Sequence, residues 1–446
     1  MRKAFGLASA GIAAPIRAYL TKGALWTFAL QMTASALTLL GSMMMARYGG
    51  KEKFGAYSIV FNWVNVLIIP ALFGLNDLLI RELSALRARG EEARARGLVR
   101  SVLAIGALAT AVTVGVFLFC TRVLGWFGLG PYLGLFDIAL WAVPMLVFTH
   151  LGQAVFLGSQ QMAKGQATEK LVKPAVFALM LWGVWAAGVP ASEPLLAALQ
   201  VLSFVPGLLW LASLLVGLYR SFPAGDERGA SPYGAAYLLR GGGWFLLAAV
   251  VQVLFSRLDS LQLGYYFSNR PEQVGFYGVA ARYAELLLLP FVVLNTVAPP
   301  LYAKLYAEKN PTEMQAVYTR TTRILLAVSL LAVMAAIWLG PMALRWFGKD
   351  FAEGYPAFCW LGLGQLFYAF TGTGGMLLLM TGHERLAIAL QGSALALAAL
   401  GQWLLIPHYG ITGAAMGSVL GYAAHCALLW VFVPRYLGVR LGPWGI

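Results

Sequence analysis

The chain has 446 residues, of which 60% are apolar and only 11% charged, with a formal net charge of +14. A soluble domain of ordinary composition is about 25% charged, so a soluble globular protein is excluded as a class and a membrane protein is indicated. Cys120, Cys359 and Cys426 are odd in number and lack framework spacing, and they read as small packing residues.

The opening MRKAFGLASAGIAAPIRAYLTK is interrupted by Pro15, Arg17 and Lys22 and leads straight into an apolar run. Residues 1–23 therefore read as an interfacial helix rather than a cleaved leader. A helix of some 20 apolar residues crosses a ~30 Å hydrocarbon core. Six such runs come first, at 24–46, 54–80, 101–121, 133–157, 171–189 and 194–218. The segment 219–243, rich in Gly, Pro and charge, reads as a cytoplasmic linker. Six more runs follow, at 244–267, 274–300, 324–346, 357–380, 386–406 and 411–433, before a tail at 434–446. The fold class is an all-α integral membrane protein. About 12 transmembrane helices form two six-helix lobes, 24–218 and 244–433, around a central cavity.

Lys and Arg alternate with this topology. The segments on one side carry 23 of the 32, including 6 between residues 81 and 100, and those on the other side carry 7. The basic charge is thus an orientation signal that puts both termini in the cytoplasm, and it argues against nucleic-acid binding.

The two halves resemble each other internally. FGAYSIVFNWVNVLIIP (Phe54 to Pro70) and VGFYGVAARYAELLLLP (Val274 to Pro290) align without gaps at an offset of 220. Gly55 falls on Gly275, Tyr57 on Tyr277 and Pro70 on Pro290. The same offset lays Trp126-Phe127-Gly128 on Trp346-Phe347-Gly348, and Tyr132 matches Tyr355 at an offset of 223. Six spans per copy give both copies one orientation, as in parallel-repeat transporters. In the last span, Gly413, Gly417 and Gly421 share one face, which serves tight internal packing or a dimer contact.

Four charges fall inside the seventh and eighth spans: Arg257 and Asp259 in the seventh, Arg282 and Glu285 in the eighth. Each costs about 2.5–3.5 kcal/mol in the membrane centre on a lenient scale, so lipid-facing positions are excluded for them. Arg282 and Glu285 are three apart and share a helix face, and at the 220 offset they fall on Asn62 and Asn65. The recurrence of that polar face favours a wet cavity, with a buried ion-pair lock as the alternative. Gln262 joins the cavity candidates. Asn76, Asp77 and Arg81 are assigned to the cytoplasmic mouth, with Asp77 an ion-pair or coupling candidate. Pro70 and Pro290 are candidate hinges or static kinks. His150, His383, His408 and His425 show no ligand spacing, and the sequence offers no metal site, cofactor site or catalytic group.

These residues resemble the MOP superfamily of multidrug, oligosaccharidyl-lipid and polysaccharide exporters, and within it the Wzx-type flippases. The resemblance is carried by FGAYS at 54–58, the stretch from Leu258-Asp259 to Gly264 before VGFYGVAARY, Pro299-Pro300-Leu301, and IPHYGITGAA at 406–415. It implies a V of two lobes with alternating access. The implied substrate is undecaprenyl-pyrophosphate-linked oligosaccharide, moved to the outer leaflet for surface polysaccharide assembly. Polysaccharide polymerase and chain-length machinery are the implied partners. On this resemblance Arg257, Arg282 and Arg81 contact phosphate, and Asn62, Asn65 and Gln262 contact sugar or headgroup. Asp259 and Glu285 hold the arginines or couple to Na+, to H+ or to the membrane potential. A multidrug exporter of the same fold is the first alternative. A membrane glycosyltransferase or polymerase is the second, disfavoured by the short outer loops.

Overall fold

The computed structural model describes residues 14–91, 93–159, 161, 165, 168–221, 235–308 and 310–444. All of its regular elements are helices, because apolar runs without water to satisfy their backbone must close their hydrogen bonds internally. Helix α1 (Ala14–Leu72) is continuous except at Gly50, whose φ of 76° folds it into two antiparallel limbs, 14–49 and 51–72. Only glycine takes that backbone freely. Residues 14–23, assigned from sequence to an interfacial helix, are helical and continuous with the first limb, and residues 1–13 lie outside the described residues.

The chain continues through α2 (Leu75–Ala88), α3 (Ala93–Arg122), α4 (Leu133–Ala139), α5 (Ala142–Gly158), a π-helical turn (Thr168–Val172) leading into α6 (Lys173–Ala186), α7 (Glu193–Leu202) and α8 (Phe204–Ser221). The second half holds α9 (Ala235–Tyr266), α10 (Pro271–Leu286), α11 (Leu289–Ala307), α12 (Pro311–Arg345), α13 (Tyr355–Thr371), α14 (Gly374–Met380) and α15 (Glu384–Leu437). Like α1, α15 folds at a glycine, Gly410 with φ 59°, into limbs 384–409 and 411–437. Among the described residues six helices are long and apolar enough to span a membrane, and two bent pairs, α4 with α5 and α13 with α14, raise that to eight. Folding α1 and α15 in two, and adding α6 and the broken α10–α11 pair, gives twelve passes. Residues 222–234 of the linker fall outside the described residues.

The repeat is visible in side-chain packing. Trp63 packs at a tilt against Phe127 with centroids 4.7 Å apart, and Tyr283 meets Phe347 edge-on at 5.7 Å. Both members of the second pair lie 220 residues beyond the first. The matched glycines meet each other where the halves cross. A Cβ on Gly55 would stand 1.8 Å from the Pro271 carbonyl oxygen, and one on Gly275 would stand 3.3 Å from the Gly55 backbone. The halves close most firmly at this end, remote from the basic segment 81–100. Phe54 is fully buried against Phe347 and Phe351, Lys51 pairs with Asp350 at 2.8 Å, and Arg47 Nε donates to the Trp346 carbonyl at 2.6 Å.

The glycine face of the last span packs internally. Cβ atoms on Gly413, Gly417 and Gly421 would stand within 2.2, 2.5 and 2.6 Å of Leu405, Gln402 and Ala398 on the other limb of α15. The prolines behave differently from one another. Pro70 lies inside α1, and the break comes three residues later, at Phe73 and Gly74 with φ of 50° and 68°. Pro290 opens α11, and the break comes before it, at Leu287 and Leu288. The eighth span is therefore interrupted one turn below Arg282 and Glu285.

Candidate functional site: a cationic cavity between the halves

A cavity of about 500 Å³ lies between the two limbs of α1, α6, α9 and α10–α11. Its lining runs from Met45, Tyr57 and Gly278, near the closed end, to Gln31, Lys170 and Val292 toward the basic end. The helices bring Arg257, Arg282, Glu285, Asn62 and Asn65 to this one surface. Arg282 and Glu285 face it because a spacing of three keeps them on one side of α10. The same geometry turns Asn62 and Asn65 inward from the second limb of α1, so the shared polar face expected from the repeat is present in both halves.

The charges pair across helices rather than along them. Arg257 Nη1 lies 3.1 Å from Glu285 Oε1, joining α9 to α10, and their side chains are 37% and 52% exposed. That pair is wet, since a sealed pair would show almost no exposure. Arg282 Nη1 donates to the Ser42 hydroxyl of α1, and among the described residues no carboxylate lies within 4 Å of it. Asn65 Nδ2 donates 2.7 Å to its own helix at Phe61, leaving its amide oxygen for the cavity.

Four expectations are corrected. Asp259 is 8% exposed and outside the lining, because a spacing of two turns it to the side of α9 opposite Arg257. It does not hold an arginine. Its Oδ2 accepts from Tyr277 at 2.5 Å and from Ser418 at 3.1 Å, its Oδ1 accepts from the Ser260 backbone at 2.6 Å, and Gln402 Nε2 donates 3.1 Å to Ser418. Gln262 also lies outside the lining, one turn after Asp259 on the same face, and donates to the Ala399 carbonyl at 3.4 Å. Arg81 is engaged elsewhere: it pairs with Glu82 at 2.8 Å and lies 5.6 Å from the Phe245 ring centroid, pinning α2 to α9. Asp77 is exposed on α2 and does not line the cavity.

The sequence reading missed the cations of the first half. Lys170 and Lys173, read as loop charge before the fifth span, line the cavity together with Glu169. Lys170 Nζ donates 3.1 Å to Gln31 Oε1, and Lys173 Nζ stands 4.3 Å above the Phe204 ring. Lys173 and Tyr57 lie within electrostatic range of Arg282. The available signal was the spacing Glu169, Lys170, Lys173, which puts all three on one helix face. With Arg257 and Arg282 the lining holds four cations against two carboxylates, a formal excess of two positive charges. Such an excess in a partly desolvated space attracts an anion of matching charge.

Comparison with known proteins adds the following. The model of the polysaccharide biosynthesis protein family matches residues 20–306, and the MatE family model matches residues 245–404. Among curated proteins no sequence matches significantly. An inward-facing multidrug resistance MATE family transporter of the MOP superfamily superposes with TM-score 0.77 at 15% identity, covering 91% of this chain and 94% of that one. The lipid II flippase MurJ in an inward closed conformation gives 0.71 at 13% identity, over 91% of this chain and 87% of its own. An outward-facing MATE transporter gives 0.67 at 15% identity, over 94% and 95%. Identities this low establish the shared fold.

Proposed function

The chain belongs to the polysaccharide biosynthesis protein family, within the MOP superfamily, and on that premise we propose that it moves undecaprenyl-pyrophosphate-linked oligosaccharide from the inner to the outer leaflet of the bacterial cytoplasmic membrane. The basic end then faces the cytoplasm, with both termini there. The observation that carries this reading is the excess of cations in the cavity, above all Arg282, whose hydrogen-bond partner is a hydroxyl and not an acid. A guanidinium beside a hydroxyl is suited to phosphate oxygens, which accept bidentate, charge-assisted bonds.

Alternating access follows from the way the halves meet. The end remote from the basic segment is closed by Phe54, by Lys51 with Asp350 and by Arg47. A pyrophosphate entering from the basic end reaches Arg282 before it reaches that closure. Asn62 and Asn65 offer amides to the headgroup or to the first sugar. Coupling to Na+ or H+ falls to Asp259 rather than Glu285. Asp259 takes its hydrogen bonds from Tyr277, Ser418 and the Ser260 backbone and makes no ion pair with an arginine, which leaves its carboxylate to meet a cation.

Export of a cationic drug is the second reading, favoured by the MATE neighbours and opposed by the positive lining. One experiment separates the two. Arg282→Ala is expected to abolish surface polysaccharide while the protein still reaches the membrane, and to leave drug resistance unaltered. Normal surface polysaccharide in that variant would defeat the proposal.

A further inference from the structure

The first half contributes a flank of the cavity that anion capture at Arg282 does not use. It is built at the π-helical turn 168–172, a widened turn of a kind often found at functional positions. Glu169 and Lys170 face the cavity from this turn, and each is held by a neighbouring side chain. Glu169 Oε2 accepts 3.0 Å from Gln153 Nε2, with His150 Nδ1 4.0 Å away, and among the described residues no donor is recorded for Oε1. Lys170 Nζ uses one of its three donor positions on Gln31.

A lock between helices would consume these groups in a dry interface. Here the Glu169 side chain is 34% exposed and that of His150 31%. A fixed carboxylate oxygen and an adjacent ammonium, both with bonding capacity left, form an acceptor and donor set that fits neighbouring hydroxyls on a ring. Lys173 follows on the same face and lies within electrostatic range of Arg282. The order along the wall follows the first limb of α1, where Lys170 is tied to Gln31 and Arg282 to Ser42, about 16 Å further along the helix, with Lys173 close to Lys170. The step from the first pair to Lys173 is about one helical turn, or ~5 Å. A pyrophosphate held at Arg282 and Ser42 therefore brings the first sugars of its glycan, rather than the phosphates, to Glu169 and Lys170.

We infer that Glu169 and Lys170 form a glycan-reading subsite that selects a hydroxyl-rich sugar near the pyrophosphate end of the glycan. Gln153 and His150 position Glu169 from outside the lining, while Gln31, itself in the lining, holds Lys170 from the cavity side. The inference rests on the proposed lipid-pyrophosphate reading and adds which part of the cavity discriminates between glycans. It also assigns a direction to the bound headgroup, with phosphates toward Ser42 and sugar toward the basic end.

The test uses the full chain in nanodiscs, with binding followed by quenching of tryptophan fluorescence. Two probes are compared: undecaprenyl pyrophosphate without sugar, and the undecaprenyl-linked glycan extracted from cells lacking this protein. The native protein is expected to prefer the glycan-bearing lipid by about tenfold or more, the range seen where a site hydrogen-bonds a hydroxyl that the competitor lacks. Glu169→Gln and Lys170→Gln are each expected to remove most of that preference, mainly by weakening the glycan-bearing probe. Arg282→Ala is expected to weaken both probes. Binding of the sugar-free probe reports that a variant is folded, and Lys170→Gln gives an independent reading should Glu169→Gln fail to fold. An undiminished preference in both variants overturns the subsite, as does equal binding of the two probes by the native protein. The second result leaves pyrophosphate recognition standing. Failure of the native protein to bind either probe overturns both readings.

Discussion

At the scale of single residues, the proposed function gives Glu285 the role of setting how strongly the cavity holds an anion. It neutralises Arg257 at 3.1 Å while Arg282 has no acidic partner. Glu285→Ala should free Arg257 and raise the positive excess by one. A stronger hold on the bound substrate lowers KM, and it slows release as well, so kcat falls with it. Transport in proteoliposomes should show both parameters reduced by about threefold or more, as expected for one unscreened charge at moderate dielectric. An unchanged KM would mean that Arg257 does not touch the substrate. Arg257, Arg282 and Glu285 were legible in the sequence, because a charge inside an apolar run demands a wet or paired position. Lys170 and Lys173 were not, because at the edge of a span a lysine in a cavity looks the same as a lysine in a loop. Asp259 was legible as buried but not as separated from the arginines. Its partners Tyr277 and Ser418 come from two other helices, and no spacing along the chain announces them.

At the scale of elements, the crossing of the second limb of α1 with α10 rests on the absence of two side chains. Gly55→Val has no room, since the first added carbon would already stand 1.8 Å from a carbonyl oxygen. Overpacking of this kind costs about 1–3 kcal/mol. The melting temperature of the purified protein should fall accordingly, whereas Gly50→Ala should act through backbone strain and leave the crossing intact. The Lys51–Asp350 pair is a gentler device. Both side chains are around half exposed, at 41% and 57%, and screening limits such pairs. Lys51→Glu should move the balance between closed and open far ends by no more than about fivefold. The swap Lys51→Glu with Asp350→Lys should restore it, as read by spin-label distances between the halves. The pairing of Pro70 with Pro290 was visible in sequence, but their effects were not. A proline disturbs the turn before it, and neighbouring residues such as Gly74 decide where the helix gives way. The matched prolines therefore do not sit at matched breaks.

At the scale of the whole molecule, the twelve passes and the two-lobe layout followed from the length and number of apolar runs. The repeat followed from landmarks that recur without gaps, and the packing of Trp63 on Phe127 and Tyr283 on Phe347 carries it into three dimensions. The sequence did not reveal that the closed end lies opposite the basic one. On the proposed alternating-access reading that asymmetry belongs to one state, and the spacing of residues along the chain does not select a state. Deleting the gene should leave undecaprenyl-linked glycan on the inner leaflet, measurable by lipid extraction, without a change in drug sensitivity. The folded-back α15 bears on biogenesis. Gln402 sits on its first limb and Ser418 on its second, and together they complete the shell around Asp259. A ribosome that has released only the first limb into the translocon leaves that carboxylate short of a donor in hydrocarbon. Chains truncated before Ser418 should thus be recognised and degraded by membrane proteases, even though eleven of the twelve passes have been made.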